Sequence, residues 1–375
     1  MIVSASALHG SHDPRTIRAW RLLEELRERE VEQQLLTLWA GENRPPSVAG
    51  ARTFAVRAPD PFAEPEGRTR RYAQRLRRRL DGDPSGLLSW ARRAARELAA
   101  LPADERPEVL YAIGYPVGAL IAGSVVAAAL EVPWIADLGD PWDPSGLLER
   151  RRRNRVLSSA AALVTTNAEL ARSLTPTLRS ETPVLLSPAG GTIRRRAGAG
   201  GLPLVVHLGS INAGRVDPRP AFEVLSAAHA RLEIEFRSHT NGWHPELDSL
   251  PHPHLEMLAA DDALELSARA AAVLVLGNQS TIQIPSKAYE IACTESWALC
   301  VSELDEDPIV EVLSAGGHAV AATNDIASIG DALSSILERE QRGQKPAPVA
   351  EHDWARRVDA IEELIGSVLA NRSPR

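Results

Sequence analysis

Residues 277–290, GNQSTIQIPSKAYE, decide the fold, because they join a buried strand to a helix through a polar loop. The apolar run at 271–276 is typical of a fully buried strand. The helix is predicted to begin at Lys287, and Pro285 suits its first turn because proline lacks an N–H that would need a partner there. This order is typical of open α/β sheets, which bind ligands beyond the carboxyl ends of their strands.

Lysine usage indicates what this loop binds. The chain has 42 Lys and Arg residues, yet Lys287 and Lys345 are its two lysines. Where arginine is the default cation, a lysine in such a loop favours a compact point charge, for which phosphate is the usual partner. Glu290 would follow about one helical turn later on the same side, where its carboxylate suits a pair of sugar hydroxyls. The alternative is a surface lysine and a solvated glutamate on an ordinary helix.

The segment PSKAYE resembles the P-S-K-x-x-E motif in the C-terminal domain of GT-B glycosyltransferases, particularly family 4. Residues 205–215 resemble that family's first C-domain strand and its glycine loop. Residues 133–142 (PWIADLGDPW) resemble its P-W-x-x-D-x-R-D-P-W segment, and residues 1–38 resemble its first strand, loop and helix. The resemblance covers most of the chain and is weakest at 40–100.

The resemblance implies an α/β protein with the GT-B fold, in which two Rossmann-like domains face each other across a cleft and a C-terminal helix returns to the N-domain. We expect an acceptor domain at 1–190, a Gly/Pro/Arg-rich linker at 191–203, a donor domain at 204–348 and the returning helix at 349–375. Residues 41–67, rich in Pro and Gly, are expected to form a long connection.

In the family, the segment matching PSKAYE holds the diphosphate and ribose of the donor. Arg215, Lys287 and the helix N-terminus at Ser286 would neutralise the charge that grows on the departing diphosphate, and Glu290 would fix the ribose. The alternative for Arg215 is a surface arginine. The predicted donor-binding residues are Gly209, Ser210, Arg215, Asn278, Gln279, Ser280, Pro285, Ser286, Lys287 and Glu290.

Candidates in the N-domain come from two loops. In the family the first loop lies at the interdomain cleft, so His9, Gly10, His12 and Arg15 could contact phosphate or acceptor, or be ordinary loop residues. The first loop lacks G-x-G-x-x-G, so it predicts no dinucleotide site. Asp140, just after a predicted strand, is a candidate catalytic or acceptor-positioning residue, or an aspartate that shapes the loop before a proline.

Two positions depart from the family pattern. The family commonly has arginine where this chain has Gly139, and many members have a second glutamate where this chain has Ile282. The first difference removes a guanidinium from the cleft, and the second removes a contact to the donor sugar. Asn278, Gln279 or Ser280 are the candidates to replace that contact.

Composition limits the classes of partner. The net charge of −7 argues against a nucleic-acid binder. The two cysteines fit a reducing compartment, and no Cys/His spacing resembles a zinc site, so neither metal nor cofactor is predicted. No signal peptide is visible, and the longest apolar run, 117–130, is shorter than the roughly 20 residues that span a bilayer. We therefore expect a cytoplasmic protein.

Arginine is concentrated at 68–80, 89–98 and 150–155. These segments predict a basic N-domain surface that contacts an anionic membrane or a phosphorylated acceptor. The alternative is a set of solvated helix faces in an arginine-rich protein.

Together these features favour a metal-independent glycosyltransferase of the hexosyltransferase type, and the resemblance to family 4 implies that it retains the anomeric configuration. It would move a sugar from a nucleotide-diphosphate sugar to an envelope or exported glycan precursor, with a lipid-linked acceptor as one form. One alternative is a catalytically weak GT-B protein that activates a partner transferase. A second is a nucleotide-sugar epimerase on the same fold. A sugar-binding regulator ranks last, because no DNA-binding segment is visible.

Overall fold

The computed structural model describes residues 1–4, 14–39, 50–57, 72, 83, 86–114, 116–187, 190–196, 201–211, 216–241, 254–279 and 281–371. Two compact units divide the chain. The first comprises Met1–Pro188 with Arg357–Arg375, and the second comprises Ala189–Arg356.

The first unit is built on a parallel sheet. Its strands are β1 (Ile2–Ser4), β2 (Gln34–Trp39), β3 (Arg52–Arg57), β4 (Leu110–Ile113), β5 (Trp134–Leu138), β6 (Ala162–Thr165) and β7 (Val184–Leu186). They lie in the order β3-β2-β1-β4-β5-β6-β7. The order reverses between β1 and β4, as in a Rossmann-like sheet.

Helices cover this sheet. They are α1 (Pro14–Glu28), α2 (Leu88–Ala99), α3 (Gly118–Leu130), α4 (Leu147–Ser158) and α5 (Ala168–Leu174). Helix α3 is apolar on nearly all sides because it packs closely on the sheet: a Cβ on Gly123 would stand 2.7 Å from the Cβ of Ala112. None of the described helices is long and apolar enough to cross a membrane.

Strand β3 corrects the expected connection at 41–67. The RTFAVR segment pairs in parallel with β2 along its whole length and forms one edge of the sheet. The side chain of Val56 is buried, whereas Arg52 is exposed and lies over the ring of Phe54. An edge strand needs little apolar sequence, because only part of its surface meets the core. Its pattern was therefore hidden among neighbouring prolines and glycines.

The second unit has a parallel sheet of the same kind. Its strands are β8 (Leu204–Ser210), β9 (Glu235–Asn241), β10 (His254–Leu255), β11 (Ala272–Leu276), β12 (Trp297–Ser302) and β13 (Ala319–Thr323), in the order β10-β9-β8-β11-β12-β13. Its helices are α6 (Arg219–Ala230), α7 (Ala260–Arg269), α8 (Ser286–Ala292), α9 (Pro308–Ser314) and α10 (Ile326–Gln341). The prediction of two Rossmann-like halves is confirmed.

The sequence at 232–236 predicts a strand that begins at Leu232, whereas β9 begins at Glu235. Leu232 has φ 58° and forms the turn after α6, with its side chain 71% exposed. The apolar alternation therefore pointed to a strand three residues too early.

The last helix, α11 (Trp354–Ala370), returns to the first unit as predicted. Val358 and Ile361 belong to the same buried cluster as Leu22 and Leu23 of α1. At its surface, Arg29 forms an ion pair of 2.8 Å with Asp359.

Residues 191–196, expected in the linker, lie with the second unit. Gly191 forms a parallel bridge with Asp353. The guanidinium of Arg196 contacts the carboxylate of Glu340 at 2.6 Å, and both side chains are largely buried. This segment is therefore anchored to the second unit.

Candidate functional site

The candidate site lies at the point where the strand order of the second sheet reverses. Strands β8 and β11 are neighbours there, and each continues to a strand on its other side. Loops at the carboxyl ends of two such strands diverge and leave a crevice, which is where open α/β sheets bind ligands. The quoted stretch, 277–290, follows β11 at this point.

Gly277 lets the chain leave β11 in close contact with the neighbouring loop. A Cβ at this position would stand 2.8 Å from Oδ2 of Asp307. That carboxylate oxygen accepts a hydrogen bond of 2.6 Å from the hydroxyl of Ser302, and the other oxygen accepts one from the backbone N–H of Ile309 at the start of α9. The exit from β11 is thus fixed by a buried polar contact that only glycine accommodates.

The loop is closed by one of its own side chains. Nδ2 of Asn278 donates a 2.7 Å hydrogen bond to the carbonyl of Gln283. Gln279 is exposed, and Pro285 has φ −60° and ψ 140°, an extended conformation that leads into α8 at Ser286. Asn278 therefore shapes the loop, and the helix begins one residue earlier than expected.

Lys287 and Glu290 meet on the first turns of α8. Nζ of Lys287 lies 3.3 Å from Oε2 of Glu290, and the two side chains are 22% and 21% exposed. This is the one-turn spacing that brings helical side chains together. An ammonium group has three hydrogens to donate, so Lys287 can contact an anion while it keeps its carboxylate partner.

The opposite side of α8 is fixed in the second unit. Its buried residues are Ala288, Tyr289, Ile291 and Ala292. The backbone N–H of Val349 donates to the carbonyl of Ala292 at 2.8 Å, and that of Arg194 donates to the carbonyl of Cys293 at 2.9 Å. Two separate segments of chain thus hold the end of the helix that carries Lys287 and Glu290.

The remaining predicted donor residues are described only in part. Gly209, near the end of β8, has φ 121°, a conformation that glycine adopts readily and other residues rarely do. The side chain of Ser210, and residues Arg215 and Ser280, lie outside the described residues.

In the first unit, the carbonyl of Gly139 accepts a 3.2 Å hydrogen bond from the hydroxyl of Thr166, and Asp140 is half-buried. A Cβ on Gly139 would meet Cγ2 of Thr166 at 3.6 Å, an ordinary contact, so the fold does not require glycine here. Of the predicted first-loop candidates, His9, Gly10 and His12 lie outside the described residues. Arg15 lies in α1, but its side chain is not described.

Sequence reasoning missed the neighbour of this loop, Asp137, at the end of β5. Its Oδ2 accepts hydrogen bonds of 2.7 Å from Nε of Arg18 and 2.7 Å from the hydroxyl of Tyr111. Arg18 also donates to the carbonyl of Ser187. A carboxylate at the end of an otherwise apolar strand was the signal that could have revealed this buried cluster.

The pKa values of both hydrogen-bond partners of Asp137 are raised. Burial alone would lower the pKa of Arg18, but the adjacent carboxylate more than offsets it and the pKa is raised. Burial, reinforced by the charge of Asp137, also raises the pKa of Tyr111 well above its ordinary value. Both shifts keep Arg18 a cation and Tyr111 a neutral phenol, which suits a structural cross-link between α1 and β5.

The described residues include no group of three or more His, Cys, Asp or Glu side chains that could hold a metal ion. Both cysteines are buried, and neither forms a disulfide. Burial and the charge of Asp307 raise the pKa of the Cys300 thiol, which leaves it unreactive at neutral pH.

Comparison with known proteins gives likeness of structure alone. No family model matches the chain, and no curated protein matches it in sequence. Sucrose-phosphate synthase from Thermosynechococcus elongatus is similar with a TM-score of 0.64 and 13% identity over 98% of both chains. HepE of Anabaena, in complex with UDP and glucose, gives 0.63 and 11% over 98% of both chains. A protein from Listeria monocytogenes assigned as UDP-N-acetylglucosamine 2-epimerase gives 0.66 and 12% over 100% of this chain and 97% of its own. The chain therefore has the GT-B fold, as its motifs predicted.

Proposed function

We propose that this protein is a glycosyltransferase that uses a nucleotide-diphosphate sugar as donor. The observation that carries the proposal is the Lys287–Glu290 pair, held at the carboxyl edge of the second sheet where its strand order reverses. The Lys287 ammonium suits the diphosphate of such a donor. The Glu290 carboxylate, one helical turn away, suits the hydroxyls of its ribose.

The chemistry that these residues would perform is stabilisation of the leaving group. As the bond between the sugar and the diphosphate breaks, negative charge grows on the phosphate oxygens, and hydrogen bonds from Lys287 strengthen with it. Arg215 is proposed to contact the same group, and Glu290 to accept hydrogen bonds from the ribose hydroxyls. Transfer is proposed to retain the anomeric configuration and to need no metal ion, since side-chain cations offset the charge.

The similar structures support the class of donor. HepE of Anabaena was solved with UDP and glucose and also with UDP-glucose. The acceptor is proposed to be an envelope or exported glycan precursor, lipid-linked in one form, at the cytoplasmic side of the membrane. Asp140, which follows the strand end of β5, is proposed to position it.

Two other functions suit the same fold. The likeness to the Listeria protein assigned as a 2-epimerase favours a nucleotide-sugar epimerase, which would need a donor but no acceptor. The differences at Gly139 and Ile282 favour a catalytically weak protein that activates a partner transferase.

The test is a thermal-shift titration against UDP, GDP, ADP and dTDP and their sugars, with and without EDTA. A ligand that binds the folded state alone raises the melting temperature. We expect a shift with one diphosphate that EDTA does not change. If none of these ligands raises the melting temperature, the proposed donor site is overturned, and a protein that activates a partner transferase is favoured.

A binding donor is then incubated with the protein alone and followed by NMR. Conversion of the donor into its epimer would overturn the proposed transferase activity and indicate an epimerase. We expect the donor to stay unchanged or to be hydrolysed slowly. Acceptor screening with that donor then tests transfer itself.

A further inference from the structure

Helix α4 begins with two leucines that are left in solvent. Leu147 is 72% and Leu148 48% exposed, whereas Val156 and Leu157 in the last turns are buried. The helix therefore packs on the first unit through its C-terminal end. Its N-terminal end presents an apolar tip that the described residues do not cover.

Arginines continue the exposed face. At 100° per residue, Leu147, Leu148, Arg151 and Arg155 all point to the half of the helix turned away from Val156 and Leu157. Arg150 lies just beyond the edge of this half and is exposed. We call this set, Leu147, Leu148, Arg150, Arg151 and Arg155, the α4 outer face.

No described residue neutralises the charges of the α4 outer face. Within the described part of the chain, Arg150, Arg151 and Arg155 form no ion pair. The one acid of the helix, Glu149, accepts hydrogen bonds from the backbone and hydroxyl of Ser145 and from the indole of Trp142. It is thereby turned toward the preceding loop.

A second arginine-rich helix lacks this combination. On α2, Arg92, Arg93 and Arg96 are exposed, but Trp90 and the other large apolar residues of the helix are buried. Trp90 is thus a core residue and not part of the basic surface expected at 89–98. Residues 68–80 are described only at Tyr72.

We infer that the α4 outer face docks on an anionic lipid bilayer. An apolar tip enters the boundary between head groups and acyl chains, and arginines bind lipid phosphates at the same level. Each basic residue near such a surface contributes about fivefold to binding. A nucleic acid would neutralise the arginines but leave the leucines in water, so it does not account for both features.

The position of this face gives docking a use. Residues 139–146 lead from β5 to α4, so the leucine tip and Asp140 follow the same strand end. A lipid-linked acceptor would therefore be presented beside Asp140. This last step rests on the proposed function, whereas docking itself is independent of it.

The experiment is flotation of the full chain with vesicles, without nucleotide. We expect binding to vesicles of equal parts phosphatidylglycerol and phosphatidylcholine at low salt, little binding to phosphatidylcholine alone, and release at high salt. Arg150→Gln/Arg151→Gln/Arg155→Gln should weaken binding at least tenfold, and so should Leu147→Gln/Leu148→Gln. No binding of the unaltered chain to anionic vesicles at low salt would overturn the proposal, even if nucleotide binding is found.

Two matched controls separate this face from general charge and general apolarity. Arg92→Gln/Arg93→Gln/Arg96→Gln removes three exposed arginines from α2, and Leu232→Gln removes a leucine that is 71% exposed on the second unit. Both should bind vesicles within about twofold of the unaltered chain. An equal loss in the α2 and α4 arginine variants would assign binding to bulk charge and overturn the role of α4. Melting temperatures of all variants confirm that they are folded.

Discussion

Gly191 lies directly against the backbone of Glu290: a Cβ on Gly191 would stand 2.9 Å from the Cα of Glu290 and 3.0 Å from the sulfur of Cys293. Gly191 is also bonded to the chain on its other side, where its N–H donates to the carbonyl of His352 and its carbonyl accepts from the N–H of Trp354. The segments at 190–194 and 349–354 thus pair with each other and clasp the helix that carries the proposed donor site.

Replacing Gly191 with alanine should disturb that helix. Real Cβ contacts essentially never fall below 3.0 Å, so either α8 or the clasp must shift. Overpacking of this kind costs about 1–3 kcal/mol of unfolding free energy, measurable by denaturant titration, and should also weaken nucleotide-diphosphate binding. Gly330→Ala is the control, because nothing lies within 4 Å of a Cβ there, and it should leave binding unchanged. If Gly191→Ala is as stable as the unaltered protein, then the segments at 190–194 and 349–354 accommodate the added methyl group without cost, and this prediction is wrong.

Lys287→Ala should weaken binding of the nucleotide diphosphate by about 1.5–3 kcal/mol, the range for a hydrogen bond to a charged group. The measurement is isothermal titration calorimetry with the diphosphate found by thermal shift. The other lysine, Lys345, lies 3.0 Å from Oε2 of Glu295 and serves as control: Lys345→Ala removes the same charge and should bind normally. Equal affinities for the two variants would remove Lys287 from the site.

Asp137→Asn should destabilise the first unit strongly. The substitution leaves Arg18 buried beside a neutral amide, and breaking a buried pair by removing one charge costs about 3–5 kcal/mol. The exposed pair of Arg52 and Glu105, at 2.6 Å, is the control; Glu105→Gln should cost about 0–1 kcal/mol. Denaturant unfolding of both variants provides the comparison, and a cost for Asp137→Asn no larger than that of the control would contradict a structural role.

The elements that sequence could predict are those with a strong local pattern. The strand β11 and the loop to α8 can be predicted because a buried strand and a proline before a helix are each determined within a few residues. The one-turn spacing of Lys287 and Glu290 follows from helical geometry, so their contact could be expected before any coordinates. The edge strand β3 could not be predicted in this way, because it is a strand through its pairing with β2 and not through a strong pattern of its own.

The roles of single polar residues were harder to predict. Asp137 and Asp140 lie three residues apart in one motif, and sequence reasoning favoured Asp140 as functional without seeing that Asp137 is a structural partner of Arg18. That contact joins residues 119 positions apart, and only the packing of α1 on the sheet creates it. Likewise, the sequence predicted Asn278 at the donor but did not indicate that its amide nitrogen donates a hydrogen bond within its own loop.

His318 gives the second unit a dependence on pH. The side chain is buried, and its Nε2 lies 2.9 Å from the carbonyl of Thr294. Burial lowers its pKa below the ordinary 6.5, with the hydrogen bonds offsetting only part of the effect. The unfolded chain therefore binds more protons below pH 6.5, so this contribution to stability is fully present above that value and is lost as pH falls. The unfolding free energy should change by at most about 1.4 kcal/mol per pH unit from this group.

Denaturant titrations from neutral to mildly acidic pH should show this dependence. His318→Gln, which keeps a donor but does not titrate, should flatten the profile. The same pH dependence in both proteins would assign the effect to another group.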